Sequence, residues 1–456
     1  MKATLVTGLS LLRPREESAV LSLAPRGRRT RVKSPVVAQA LTGLAALLVS
    51  MLAGSAASHA QDFQVIPLLP GDLFGEAAAV SADGTVVVGR SSSPASGQTP
   101  GTTSQAIRWT AATGTVGLGF VSGFTLTSFA AGASSDGSVV VGSSGSGPQL
   151  EAFRWTARGG MAGIPLSSGD AVDLAGATSA NGTTIVGMRA SNATNPAHAF
   201  RWALDGGFTD LGVLAGFDLS IANAVNAAGW AIVGWNSNST TLVTEAFLWT
   251  PASGMTGLGV LTGDTSSVAY GISADGSTIV GTSSGSGGRH AFRWTANGGL
   301  VALGVLPGDT DSTAYAASAD GSVVVGTSEG PAGSHAFRWT AARGMESIEA
   351  RLTASGVNLA GFRLWKAAGV SADGATIVGT GRNFSTASAQ GWIAHLPAVH
   401  DFNRDGKSDI AWRDSCRTRR SRPRWRREGL QTRSSVGALR FDWVWPAFLD
   451  SWIARN

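Results

Sequence analysis

Between Phe63 and Leu396 the apolar residues fall in short runs, separated by Gly-, Ser- and Asp-rich breaks. No part of this region sustains an apolar period of 3.6 residues, so the pattern predicts short β-strands and no helices. The stretch from Leu300 to Ala341 is the clearest example. It reads as strands over Leu300–Leu306, Thr313–Ser318, Ser322–Gly326 and His335–Thr340. Val323, Val324 and Val325 form a continuous β-branched run, as expected of a strand covered on both faces. Asp320-Gly321 before that run predicts a two-residue hairpin with both residues at positive φ. Pro307-Gly308-Asp309 is a turn between the first two strands. Gly- and Ser-rich pieces such as Ser283–Gly288 join the third strand to the fourth.

The pattern repeats. A Ser-Ala-Asp-Gly block or a near variant occurs at Ser81–Gly84, Ser134–Gly137, Ser179–Gly182, Asn226–Gly229, Ser273–Gly276, Ser318–Gly321 and Ser371–Gly374. A second block, typically Ala-Phe-Arg-Trp-Thr, centres on Trp109, Trp155, Trp202, Trp249, Trp294, Trp339 and Trp392, spaced by 46, 47, 47, 45, 45 and 53 residues. The two blocks alternate, which predicts seven repeats. Four strands in a unit of about 45 residues is the signature of a propeller blade. The expected fold is therefore all-β, a seven-bladed β-propeller over residues 61–397, with the tryptophans as core between blades. Strand-like segments at Phe63–Leu69 and Gly391–Leu396 are placed to share one blade and lock the ring. A β-solenoid is the competing architecture, although its coils are usually shorter than these units.

Composition agrees with many short strands joined by tight turns. The 456 residues include 61 glycines, and charged residues make up only 14%. The net charge of +5 is misleading. From Gln61 to Ser415 there are 17 basic and 25 acidic residues, a net charge of −8, and the basicity lies at the two ends. A nucleic-acid partner is not expected. Cys416 is the only cysteine, so no intrachain disulfide can form.

Residues 1–60 read as an N-terminal extension followed by a secretory signal. Arg26, Arg28, Arg29, Arg31 and Lys33 precede an apolar stretch from about Val36 to Ala57, and Ser58-His59-Ala60 places small residues for cleavage before Gln61. The expected location is outside the cell or in the envelope, with no integral span after cleavage; an uncleaved anchor is the alternative. The long segment ahead of the apolar stretch suggests that translation starts downstream of Met1.

The repeat blocks resemble those of the HAF-repeat family of predicted extracellular bacterial proteins. The His-Ala-Phe triplet occurs at His198–Phe200, His290–Phe292 and His335–Phe337, each followed by Arg-Trp. Gln105, Glu151, Glu245 and Ser388 take the histidine position in the other repeats. The resemblance implies an extracellular β-repeat protein of undefined biochemical role. The three histidines, one per repeat, read as polar strand-start residues and not as a metal site. The Ser-Ala-Asp-Gly block is also similar to the Asp-box of sialidase propellers, but Val or Ile follows the turn where that family has Trp. Tyr270 and Tyr315, the only tyrosines, read as ordinary strand residues preceding the hairpin.

Past the repeats, residues 398–415 carry Asp401-Phe402-Asn403-Arg404-Asp405-Gly406-Lys407-Ser408-Asp409. Oxygen ligands at alternating positions suit a hard cation, and Gly406 permits the sharp turn. Asp401, Asn403, Asp405 and Asp409 would contribute side chains and Lys407 its carbonyl, to bind calcium. Trp412 stands where an EF-hand has glutamate. The loop instead resembles the opening of an FG-GAP/VCBS repeat, which implies calcium held in a hairpin. Residues 416–456 contain 10 arginines and 4 tryptophans without repeat order. They read as a frameshifted or otherwise aberrant tail; a basic, aromatic tail binding membrane or nucleic acid is the functional alternative. No catalytic constellation emerges. The expected function is an interaction or structural module for an extracellular protein or glycan, not an enzyme. A secreted carbohydrate-active hydrolase is the alternative, and it would need a pair of acids near the channel.

Overall fold

The computed structural model describes residues 62–93, 103–146, 149–165, 172–190, 197–384 and 388–397. The expected signal segment, the expected calcium loop and the Arg/Trp-rich tail lie outside them. The described chain is all-β, built from four-stranded antiparallel meanders. Those over residues 219–259, 264–302 and 311–347 are separate sheets. Those over 74–117, 127–163 and 172–210 are linked into one twelve-stranded sheet by the parallel bridges Ser104–Thr127 and Leu150–Val172. The last sheet draws on both ends of the described chain, because Asp62–Val65 pairs antiparallel with Ala389–His395.

Each meander turns from its first to its second strand through the Ser-Ala-Asp-Gly block, and side chains hold that turn. In the 311–347 meander the Ser318 Oγ accepts from the buried Val323 N–H at 3.0 Å and donates to Asp320 Oδ1 at 2.8 Å. Asp320 Oδ1 also accepts from the Ser322 N–H at 2.9 Å. The Gly321 N–H bonds the Ser318 carbonyl, which makes Ala319 and Asp320 the central residues of the turn. Only Gly321 has positive φ, at 67°. The expected two-residue Asp-Gly hairpin is thus a longer turn closed by a left-handed glycine, because the serine hydroxyl lets the aspartate keep an ordinary φ.

The turns also bond one another. The Ala82 N–H donates to Ser135 O, Ser135 to Ala180, Ala180 to Ala227 and Ala227 to Ala274. Asp275 then donates to Ala319, Ala319 to Ala372, and Ala372 back to Ala82. The cycle returns to its starting residue, so the turn of the last sheet lies beside the turn of the first. Apolar clusters follow the same order. Val233 and Ala246 of one meander pack with Ala269, Ile279 and Phe292 of the next. Ala77, Val87 and Ile107 of the first pack with Val378 and Ile393 of the last. Buried serines complete these seams: Ser312 Oγ accepts from Ala291 N–H at 2.9 Å and donates to Gly304 O at 2.8 Å.

Several expectations need correcting in detail. The strand beginning near Leu300 pairs with Phe292–Thr295 as the outer strand of the preceding sheet, so the Leu300–Ala341 unit straddles two sheets. Most of Ser283–Gly288 lies within strands Ile279–Gly285 and Gly288–Thr295. Trp392 does not occupy the tryptophan position of the seventh repeat. It lies opposite Gly379, as Phe337 lies opposite Gly326, so it fills the buried phenylalanine place and Ala394 takes the tryptophan place. The histidine place in that repeat is accordingly Gln390, not Ser388. Gly379 has no Cβ to fill the space that the indole occupies, since one would lie 2.8 Å from Trp392 Cζ2. The phenylalanines of the repeat are fully buried, whereas Trp155, Trp249, Trp294 and Trp339 are half-buried and pack against the clusters' margins.

One helix, α1 (Ile348–Ala354), also escapes the expectation of an all-strand body. It is two turns long, too short to show a sustained period, and fastens itself by Ile348 and Leu352, both fully buried. Ser347 caps it, accepting from the Ala350 N–H at 3.2 Å. The helix and the loop after it account for the wider spacing before the last repeat.

Candidate functional site in the central cavity

The first strands of the meanders converge on a cavity of about 680 Å³. They run over Phe74–Val80, Thr127–Ala133, Val172–Thr178, Leu219–Val225, Asp264–Ile272, Asp311–Ala317 and Phe362–Val370. Each carries a β-bulge at the same place. The register slips between Ala77 and Ala79, Ala130 and Gly132, Ala175 and Ala177, Ala222 and Ala224, Ala269 and Gly271, Ala314 and Ala316, and Ala367 and Gly369. A bulge leaves one residue unpaired and re-aims its side chain. Every such residue lines the cavity.

A local steric rule makes this placement possible. The residue before each bulge is an alanine facing a glycine of the second strand, as in Ala314–Gly326. A Cβ on Gly326 would come within 2.0 Å of the Thr313 carbonyl oxygen. The glycine lets the bulged strand approach its neighbour, and the bulge then turns the following residue inward.

The residues so presented are unequal. Ala78, Ala131, Gly176 and Ala368 are small, and Asn223 is polar. The remaining two are Tyr270 and Tyr315, on neighbouring strands, with ring centroids 5.3 Å apart and planes tilted by 55°. Beside them, Lys366 holds its ammonium 4.2 Å from the Tyr315 ring centroid, a cation–π contact. Trp365, displaced by a second bulge between Leu364 and Lys366, lines the same side, with the Arg382 guanidinium 5.9 Å from its ring. One side of the cavity is therefore aromatic and cationic while the opposite side is small.

The electrostatics follow from this crowding. Burial lowers the Lys366 pKa from the usual lysine value, and Glu76 opposes that shift. Burial raises both tyrosine hydroxyls; for Tyr315, Tyr270 and Glu329 add to the rise while Arg289 opposes it. Arg289 is itself held by Glu329 and lies 3.6 Å from Asp311. Glu76 lines the cavity and pairs with Arg90 at 2.8 Å.

The residues singled out from sequence do not assemble here. Asp401, Asn403, Asp405, Lys407 and Asp409 lie outside the described residues. Among the described residues no three His, Cys, Asp or Glu side chains are arranged to hold a metal. His198, His290 and His335 each pair with an aspartate: Asp210 at 3.0 Å, Asp264 at 3.3 Å and Asp309 at 3.1 Å. The turn aspartates bond within their own turns. Tyr270 and Tyr315, expected to be ordinary strand residues, instead sit at the inward bulge position that all seven first strands share. The signal that could have found them was in view: the chain's two tyrosines share one repeat position, in consecutive repeats, where the other repeats have Ala, Gly or Asn.

No protein-family model and no curated protein matches the chain. Solved structures do resemble it. The β-propeller domain of the Trilobed protease from Pyrococcus furiosus matches with a TM-score of 0.49 and 8% identity, over 71% of this chain and 93% of that one. The likeness is to propellers. An oligogalacturonate lyase from Vibrio parahaemolyticus matches with a TM-score of 0.48 and 12% identity, over 74% of this chain and 97% of that one. TolB from Acinetobacter baumannii matches with a TM-score of 0.41 and 13% identity, over 57% of this chain. The match spans 62% of the TolB chain's own length. These proteins include enzymes and non-enzymes, so the propeller-like fold does not by itself assign an activity. Among the described residues no helix is long and apolar enough to cross a membrane.

Proposed function

We propose that the chain is an exported, seven-bladed β-propeller of the HAF-repeat kind that binds an extracellular protein or glycan without chemically altering it. The blade count is supported by the cycle of turn-to-turn hydrogen bonds through Ala82, Ser135, Ala180, Ala227, Ala274, Ala319 and Ala372. The strand pairing of Asp62–Val65 with Ala389–His395 supports closure by the two ends of the propeller.

The observation that carries the binding reading is the asymmetry of the inward bulges. A repeat that served only to pack would present equivalent residues inward. Here two adjacent repeats present tyrosines beside Lys366 and Trp365, and the others leave open space. A concave site with an aromatic wall and few charges suits recognition. The same region does not favour hydrolysis, since its lining carboxylate, Glu76, is tied to Arg90. Calcium at Asp401, Asn403, Asp405, the Lys407 carbonyl and Asp409 is a separate part of the proposal, independent of the cavity.

The test is a glycan array and a pull-down from extracellular material, with the purified chain and its Tyr270→Ala/Tyr315→Ala double variant. Capture that the double variant loses is expected. Turnover of a polysaccharide, abolished by one carboxylate substitution, would overturn the proposal in favour of a hydrolase.

A further inference from the structure

We propose that the cavity recognises a carboxylated sugar, with the carboxylate on the Lys366 ammonium and the sugar ring against Tyr270, Tyr315 and Trp365. The inference rests on the binding reading above and narrows it to a ligand chemistry.

Lys366 is half-buried and lines the cavity, yet its ammonium makes no hydrogen bond to the described residues. An ammonium carries three donors, and those of Lys366 are not sealed from solvent, so they are open to an acceptor entering the cavity. Its electrostatic neighbours are the Tyr315 ring and Glu76. The Tyr315 ring offers a π face 4.2 Å from the ammonium, and Glu76 is engaged through Oε1 with Arg90 at 2.8 Å. A carboxylate entering the cavity would meet these donors with charge-assisted hydrogen bonds.

The rest of the ligand is specified by the walls. The tyrosine planes are tilted by 55°, so they do not form a parallel slot for a flat aromatic acid. Two inclined faces suit the puckered, C–H-covered face of a pyranose, and Trp365 adds a third apolar surface on the same side. Asn223 and Thr178 donate to Ala269 O and Thr184 O but keep acceptor oxygens for sugar hydroxyls, and Thr380, paired with Lys366, adds a hydroxyl. The volume of about 680 Å³ falls within the range of small-ligand sites and leaves room for more than one sugar unit.

The experiment is calorimetric titration of the full chain with a glucuronate-containing disaccharide, its methyl ester and benzoate at one ionic strength. The free acid should bind at least tenfold more tightly than the ester. Lys366→Met should abolish that preference, Lys366→Arg should retain it, and Tyr315→Leu should weaken acid and ester alike. Equal binding of acid and ester overturns the proposal. So does benzoate binding as tightly as the acid sugar, or a preference that survives Lys366→Met. If Lys366→Met fails to fold, the acid-to-ester ratio of the unaltered protein still decides the matter. Capture of other glycans on the array without any response to the acid sugar would sink this proposal and leave the binding reading standing. A blank array with measurable turnover would sink both.

Discussion

The serine of the repeated turn does more than favour a bend. Ser318 satisfies a buried backbone N–H, orients Asp320 and accepts the turn hydrogen bond from Gly321 through its carbonyl. Asn226 performs the first task in the fourth repeat with its side-chain oxygen, which bonds the Trp230 and Ala231 N–H groups at 3.1 Å. Leaving a buried donor unmet costs about 1–3 kcal/mol. Ser318→Ala should therefore lower stability by about that amount, read as a lower urea midpoint with an unchanged slope. The aspartate makes a pH-dependent contribution. Bonds from the Ser138 N–H and from the Ser134 and Ser138 hydroxyls hold the Asp136 carboxyl at about 2, below its ordinary 3.8. A carboxyl depressed in the folded state contributes stability above its unfolded pKa, and that contribution is lost as pH falls through its folded pKa. In Asp136→Asn, a change that the third repeat already carries as Asn181, the stability difference from the unaltered protein should shrink between pH 4 and pH 2. Thermal melts across that window would show it; a constant difference would refute the linkage. The serine and aspartate could be read as a turn from sequence, but not which buried N–H they serve, because that partner is fixed only when the next strand pairs.

At the scale of elements, the strands were legible and their grouping was not. Alternating blocks and β-branched runs mark the first three strands of each sheet. The short outer strands, such as Gly344–Ser347, carry little apolar signal because one edge has no neighbouring strand in the sheet to pair with. That weakness makes Leu300 look, in sequence, like the start of the unit that follows it. Trp392 aligns with the other tryptophans for a related reason: indoles match by identity in sequence, whereas register depends on which aromatic side chain sits opposite the glycine. The closing strand gives a prediction at this scale. Phe63 is half-buried, packs 5.6 Å from Phe362 between ring centroids and belongs to the strand by which, among the described residues, the N-terminal side joins the last sheet. Phe63→Ala should cost about 2 kcal/mol, less than the 3–5 kcal/mol typical of a fully buried phenylalanine. It should also speed hydrogen exchange in Ala389–His395 before the rest of the molecule. Uniform exchange across all meanders would contradict a local closing role.

For the whole molecule, stability comes from the seams between consecutive sheets, each with its own apolar cluster. No disulfide is available, and among the described residues no metal-holding group is present. Chelating calcium should accordingly leave the main thermal transition of the full chain unmoved, with any effect confined to Asp401–Asp409. Loss of the whole transition on adding EDTA would contradict that expectation.

By itself the sequence determined the β class, the repeat period, the turns and the polar–apolar order of each strand, since these depend on neighbours a few residues apart. Only the tertiary structure decided which strands share a sheet, which aromatic side chain faces each glycine, and which residues the bulges turn inward. The last of these brings Tyr270 and Tyr315, separated by a whole repeat, to 5.3 Å and sets Lys366 beside them. Residues 45 and 51 positions apart leave no short-range mark on the chain between them, and they meet only because consecutive sheets pack with their first strands on a common cavity.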